Sequence, residues 1–116
     1  MKKTYQGSCH CGAVRFEVAL DMDESMVCDC SICSKKGGIL NRVPEDQFTP
    51  LTPIDDLPVY QFNKRIAKHY FCPTCGIYTF HRPRSAPDLW AINVRCLDGV
   101  DLNAIQIGQI HGSEFD

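Results

Sequence analysis

The chain has 116 residues, 44% of them hydrophobic, and a formal net charge of −2, with an isoelectric point of about 6.0; this bounds it to one domain, residues 1–116, with a modest core. No run of Lys or Arg is long enough to make a strong footprint for a polyanion, which argues against nucleic acid as the partner. The N-terminal MKKTYQGSCHCG has two lysines with no apolar stretch behind them, so neither a secretory signal nor a membrane span is expected and the cytoplasm is the default location.

In chain order, Val14, Phe16, Val18 and Leu20 alternate with Arg15 and Glu17, the pattern of a half-buried strand. Ser31 to Lys36 can make one helical turn before Gly37 and Gly38 stop it. Pro44, Pro50, Pro53 and Pro58 mark 43–58 as a stiff, irregular connection that Phe48, Leu51, Ile54 and Leu57 can dock as a packed loop. Segments 66–71, 77–81 and 89–96 are short, rich in aromatic or β-branched residues and bounded by Gly, Pro or Asp, as antiparallel strands should be. Their aromatics, with Tyr60 and Phe62, read as core: Tyr70, Phe71, Tyr78, Phe80 and Trp90. Past Gly108 there is little signal. With no sustained helical periodicity, the expected class is mainly β, built of short antiparallel sheets.

The eight cysteines set the chemistry. In a reducing compartment such a density points to metal rather than to disulfides. Cys72-Pro-Thr-Cys75-Gly76 is a zinc-knuckle pattern: a tight turn aims two thiolates at one ion, and the glycine tolerates the left-handed backbone that follows. A closed tetrahedral site needs two more ligands, and Cys9 with Cys11, followed by Gly12, is the natural complement. Cys28, Cys30 and Cys33 then form a second group with no obvious local fourth ligand, and three protein ligands plus a vacancy is the arrangement of catalytic zinc. Three thiolates on a dication leave a net negative charge, so a substrate thiolate at the vacancy would need positive charge nearby. Cys96 admits three readings: a fourth ligand that closes the second site, a small buried apolar side chain, or a reactive thiol near the metal. Ferredoxin spacing is absent, which disfavours iron–sulfur ligation.

Among the histidines, His10 is expected to face solvent, His69 and His111 to be ordinary surface or partly buried residues, and His81 to be either a satisfied strand residue or a proton shuttle lining a pocket. Of the cations Lys35, Lys36, Arg42, Arg65, Lys68, Arg82 and Arg84, Lys35 and Lys36 have the best claim to a substrate carboxylate, because they follow Cys33 and precede two glycines that allow close backbone approach.

The ordered series GSCHCGAVRFEV, CDCSICSKKGG and HYFCPTCGIYTFHRPRSAPD resembles the glutathione-dependent formaldehyde-activating enzyme family, whose domain also occurs in centromere protein V. The resemblance runs from Gly7 to about Asp98. It implies an Mss4-like β-tent stapled by two zinc ions, with Cys9, Cys11, Cys72 and Cys75 on the structural ion and Cys28, Cys30 and Cys33 on the working one. It further implies a carbon–sulfur lyase that joins glutathione and formaldehyde, or separates them, through S-hydroxymethylglutathione. The alternative is a non-catalytic zinc-stapled module that binds a protein or nucleic acid. Oligomeric state is left open.

Overall fold

The computed structural model describes residues 1–115. The chain opens with an antiparallel hairpin, β1 (Lys2–Ser8) and β2 (Arg15–Asp21), paired without a break from Lys2 opposite Asp21 to Ser8 opposite Arg15. Alternation on β2 comes out as expected: Phe16, Val18 and Leu20 are buried while Arg15 is exposed. Next come β3 (Met26–Cys28), the helix α1 (Ser31–Lys36) and β4 (Leu40–Val43). The helix spans the expected six residues and stops at Gly37, whose φ of 72° is the left-handed cap that glycine adopts most readily.

The 43–58 connection is more ordered than a packed loop. Phe48–Pro50 forms a short strand, β5, on the edge of β2, and Pro50, lacking an N–H, is tolerated at such an edge. Strands β6 (Val59–Tyr60), β7 (Lys68–Phe71), β8 (Tyr78–Arg82) and β9 (Trp90–Asn93) follow. The last expected strand ends early, because Asn93 caps a 3-10 turn over Val94–Cys96 by accepting from the Arg95 N–H. The chain past Gly108 also carries structure: β10 (Gly108–Ile110) pairs with β3 in parallel, and Gly112–Phe115 forms a 3-10 turn. Among the described residues the protein is therefore mainly β with one short α-helix, as expected, but its sheets are not wholly antiparallel.

Two sheets result, one of order β1-β2-β5 and one of order β10-β3-β4-β9-β8-β7-β6. One core joins them. Phe16 from β2 and Phe48 from β5 meet Phe80 and Trp90 from the larger sheet, with ring centroids 4.8 to 5.7 Å apart and several pairs edge to face, a favoured aromatic geometry. Tyr60 departs from its expected place in the core: it is 52% exposed and stacks on Phe62 instead.

Candidate metal centres and the cavity beside them

Two turns bring four cysteines together. Cys9 and Cys11 lie on the connection from β1 to β2, where Gly12 takes a φ of 84° and its N–H bonds the Cys9 carbonyl. Cys72 and Cys75 lie on the connection from β7 to β8, where Gly76 takes a φ of 77° and bonds the Cys72 carbonyl. All four sulfurs lie within 4.8 Å of one another. Cys11 Sγ is 3.7 Å from Cys9 Sγ and 3.6 Å from Cys72 Sγ; a tetrahedron with metal–sulfur bonds of about 2.3 Å has edges of about 3.8 Å, so the group fits an ion of that kind. Backbone amides reach two of the sulfurs: Val14 N–H donates to Cys9 Sγ at 3.3 Å and Thr74 N–H to Cys72 Sγ at 3.4 Å. The N–H groups of Cys11 and Ile77 hold the Cys75 thiol down to about 6.

Cys28, Cys30 and Cys33 form a second group within the same 4.8 Å limit. Cys28 ends β3. Cys30 is the N-cap of α1, its sulfur accepting from the Cys33 N–H at 3.4 Å, and Cys33 is buried inside the helix's first turn. Burial pushes the Cys33 thiol up, and the sulfurs of Cys30 and Cys28 add to the effect. A bound cation would relieve that repulsion, so this donor set also fits a metal. Among the described residues no His, Asp or Glu joins the group.

These three sulfurs open on a cavity of about 190 Å³ whose lining includes Arg42, His69, His81, Arg84 and Gly112. Strand register builds its floor. Arg42 on β4 faces Ala91 on β9, Ala91 faces His81 on β8, and His81 faces His69 on β7, so the four form one row on one face of the sheet. A bulge then adds Tyr78 to that face: between the pairs His69–His81 and Phe71–Tyr78, β8 carries one residue more than β7. Residues three apart on a regular strand point to opposite faces, yet here Tyr78 Oη lies 2.5 Å from His81 Nδ1.

The resulting network has a defined charge state. Lys36 Nζ donates to His69 Nδ1 at 2.7 Å and lies 3.4 Å from the Tyr78 ring centroid, an attractive cation–π placement. Burial, then the Lys36 charge, holds the His69 pKa down to about 4. Burial also lowers Lys36, to about 8, against the pull of the Cys33 and Cys30 thiolates. His81 is held well below its ordinary value by burial and by Lys36, His69 and Arg42, while burial raises Tyr78. The phenol thus keeps its proton, and its hydroxyl is bonded to His81 Nδ1. With Nδ1 accepting from the Lys36 ammonium, the neutral His69 ring carries its own proton on Nε2.

The segment without sequence signal closes the cavity's other side. β10 continues into Gly112, where an added Cβ would meet Cys28 Sγ at 2.5 Å and the Cys30 Cβ at 2.9 Å. Asp29 Oδ1 accepts from the Ser113 N–H at 2.9 Å, and Oδ2 is 3.7 Å from His111 Nδ1. His10 is exposed as expected. Lys35 is exposed, Lys36 turns in to His69 and Tyr78, and neither lines the cavity. Cys96 does not join Cys28, Cys30 and Cys33. Its sulfur donates to the Tyr78 carbonyl at 3.5 Å, and burial, with Cys9 and Cys75 nearby, pushes its thiol up to about 12.

His69 was expected to be ordinary but is 5% exposed and central. A partial signal for it exists: His69 and His81 stand six residues before and six after Cys75, so a hairpin folded about that knuckle brings them close, and the bulge in β8 sets them opposite each other. Nothing comparable marks Gly112.

Fold and sites together define a class: a small, mainly β domain that gathers seven of its cysteines into two metal-competent clusters, one of four and one of three beside a cavity. The chain belongs to the glutathione-dependent formaldehyde-activating enzyme family, whose pattern it matches over residues 4–108. A Rhodobacter sphaeroides protein of known crystal structure shares 38% identity with it over 90% of this chain and 99% of that one, with a TM-score of 0.82. A Penicillium rubens protein, whose name assigns it provisionally to glutathione-dependent formaldehyde activation, is 32% identical over an alignment of 80 residues that covers 64% of this chain. The match spans 41% of that relative's length.

Proposed function

We propose that the protein is a zinc-dependent carbon–sulfur lyase acting on the adduct of a small glutathione-like thiol with formaldehyde, such as S-hydroxymethylglutathione. The observation that carries this reading is the inequality of the clusters: four sulfurs enclose one position, while three surround the other beside a cavity. Zinc suits both, as a borderline-soft ion that takes thiolates tetrahedrally. Cys9, Cys11, Cys72 and Cys75 would hold the structural ion, and Cys28, Cys30 and Cys33 the working one. An ion with an open position supplies Lewis acidity that stabilises a thiolate sulfur or polarises a carbonyl oxygen.

The chain's own residues do the rest. His81 is a neutral ring oriented by Tyr78, so, in the tautomer with Nδ1 accepting, its Nε2–H can donate to an oxygen in the cavity at neutral pH. Lys36 is a positioning residue: it fixes the His69 ring that stacks on His81, centroids 4.8 Å apart. Apolar neighbours in the lining, Ile32, Leu40 and Ile110, lower the local dielectric, so that these few polar groups act strongly. Eight unbridged cysteines suit a reducing, cytoplasmic compartment; among the described residues no helix is long and apolar enough to cross a membrane.

Cys30→Ser tests the reading. Serine is a good helix N-cap, so α1 should survive, while the bound zinc should fall from two equivalents to about one and glutathione binding should disappear. Glutathione affinity that is unchanged in this variant sinks the proposal. So does a cobalt-substituted protein whose spectrum shows four protein sulfurs at both ions.

A further inference from the structure

We infer that Arg42 is the anion anchor of the three-cysteine cavity and binds a carboxylate of the thiol substrate; this rests on the reading of that cavity as a thiol site. The chain has more acidic than basic residues, 14 Asp and Glu against 12 Lys and Arg, yet among the described residues the lining of this cavity contains Arg42, Lys64, Arg65 and Arg84 and no Asp or Glu. Three thiolates on a dication leave one net negative charge, which the four cations outweigh, so the lining as a whole favours an anionic ligand.

Arg42 is set apart from the other three. Lys64, Arg65 and Arg84 are exposed at the mouth, whereas the Arg42 Nε is fully enclosed and has no hydrogen-bond partner. Its neighbours in the row offer none. Ala91 presents a methyl group, and the His81 ring beyond it has Nδ1 engaged by Tyr78. A ligand cannot reach the enclosed Nε; the two terminal nitrogens, which are neither enclosed nor bonded among the described residues, are the part of the guanidinium that Arg42 offers to the cavity. A carboxylate matches the guanidinium fork with two parallel bonds.

The loop over the mouth is held in a set conformation. Asn63 and Arg65 both take positive φ, 54° and 56°, and Gln61 Nε2 donates to the carbonyls of Arg65 and Ala67 at 2.9 and 3.2 Å. Non-glycine residues in that region are strained and tend to mark functional segments. The loop keeps Lys64 and Arg65 over the opening, where they favour entry of an anion. The substrate class is therefore an acidic thiol, with a carboxylate placed inward on Arg42, rather than a neutral one.

The test is calorimetric titration of the zinc-loaded protein with glutathione, with its diethyl ester, in which both carboxylates are blocked, and with S-methylglutathione, in which the sulfur is blocked. Glutathione should bind at least about ten-fold more tightly than the diester, and Arg42→Gln should weaken glutathione by a similar factor while leaving the diester unchanged. Arg42→Lys should recover part of the loss. Equal binding of glutathione and its diester, or no binding of either acid at millimolar concentration, overturns the anchor. Should Arg42→Gln lose zinc or its native near-ultraviolet circular dichroism, the ester comparison on the native protein decides. The thiol reading fails separately: if S-methylglutathione binds as tightly as glutathione and both depend on Arg42, the anchor stands and metal–sulfur contact does not.

Discussion

His69 and His81 stack in the floor of the cavity, and their ionisation ties the site to stability. Both are depressed, His69 to about 4 and His81 well below its usual range, because burial and nearby cations oppose a second positive charge. A histidine with its folded pKa below the unfolded value of about 6.5 contributes stability that is present above 6.5 and is lost as pH falls toward the folded pKa, because the unfolded chain binds the proton more readily. The unfolding temperature should thus hold between pH 8 and 7 and decline below about 6.5. The cleaner measurement is ring-proton NMR, in which the His69 signals should stay constant from pH 7, below the Lys36 titration, to about 5 and move again only near 4; a midpoint near the ordinary histidine value would contradict the buried network. His69→Gln, which keeps an acceptor for Lys36, should flatten part of the thermal decline. Residue types made the cysteine groups legible, since CxC, CxCxxC and CxxCG are local patterns. His69 and Arg42 were not singled out for these roles, because their importance comes from what lies across the strand from each.

At the scale of elements, a bulge and a terminal strand decide the site's shape. Strict alternation would send Tyr78 and His81 to opposite faces, and the extra residue in β8 puts them in hydrogen-bond contact. β10 pairs in parallel with β3 and delivers Gly112 against two of the three sulfurs. A Cβ at 2.5 Å from Cys28 Sγ is too close for any real contact, so in Gly112→Ala the strap or Cys28 must shift. That variant should keep the ion at the four-cysteine cluster and bind the second at least about ten-fold more weakly, as competition with a chromophoric chelator would measure; equal affinity at both sites would rule out this role for the strap. The helix was readable because its stop signal is local, a glycine at the left-handed cap. β5 and β10 were not, since three-residue strands carry too little pattern and exist through their partners.

For the whole molecule, the four-cysteine cluster clamps the β1–β2 turn of one sheet to the β7–β8 turn of the other. Apparent binding free energies of structural zinc, about 10–16 kcal/mol in small domains, are comparable with the total stability of a typical protein, about 5–15 kcal/mol. Chelation should therefore proceed in two stages: loss of the three-cysteine ion with little change in far-ultraviolet circular dichroism, then loss of the second ion together with cooperative unfolding. Cys72→Ser should mimic the second stage and yield little folded protein, in contrast to Cys30→Ser; a well-folded Cys72→Ser protein without metal would show that the aromatic core suffices alone. By itself the sequence determined the mainly β class, the helix at Ser31–Lys36 and the grouping of cysteines, because each follows from side-chain periodicity or from ligands a few residues apart. Tertiary structure alone decided that Cys96 stands outside the second cluster, that Lys36 faces His69 rather than the cavity, and that Arg42, His81 and His69 share a row. Those outcomes depend on sheet register and on one inserted residue in β8, and a shift of a single position reverses the face of every side chain in a strand.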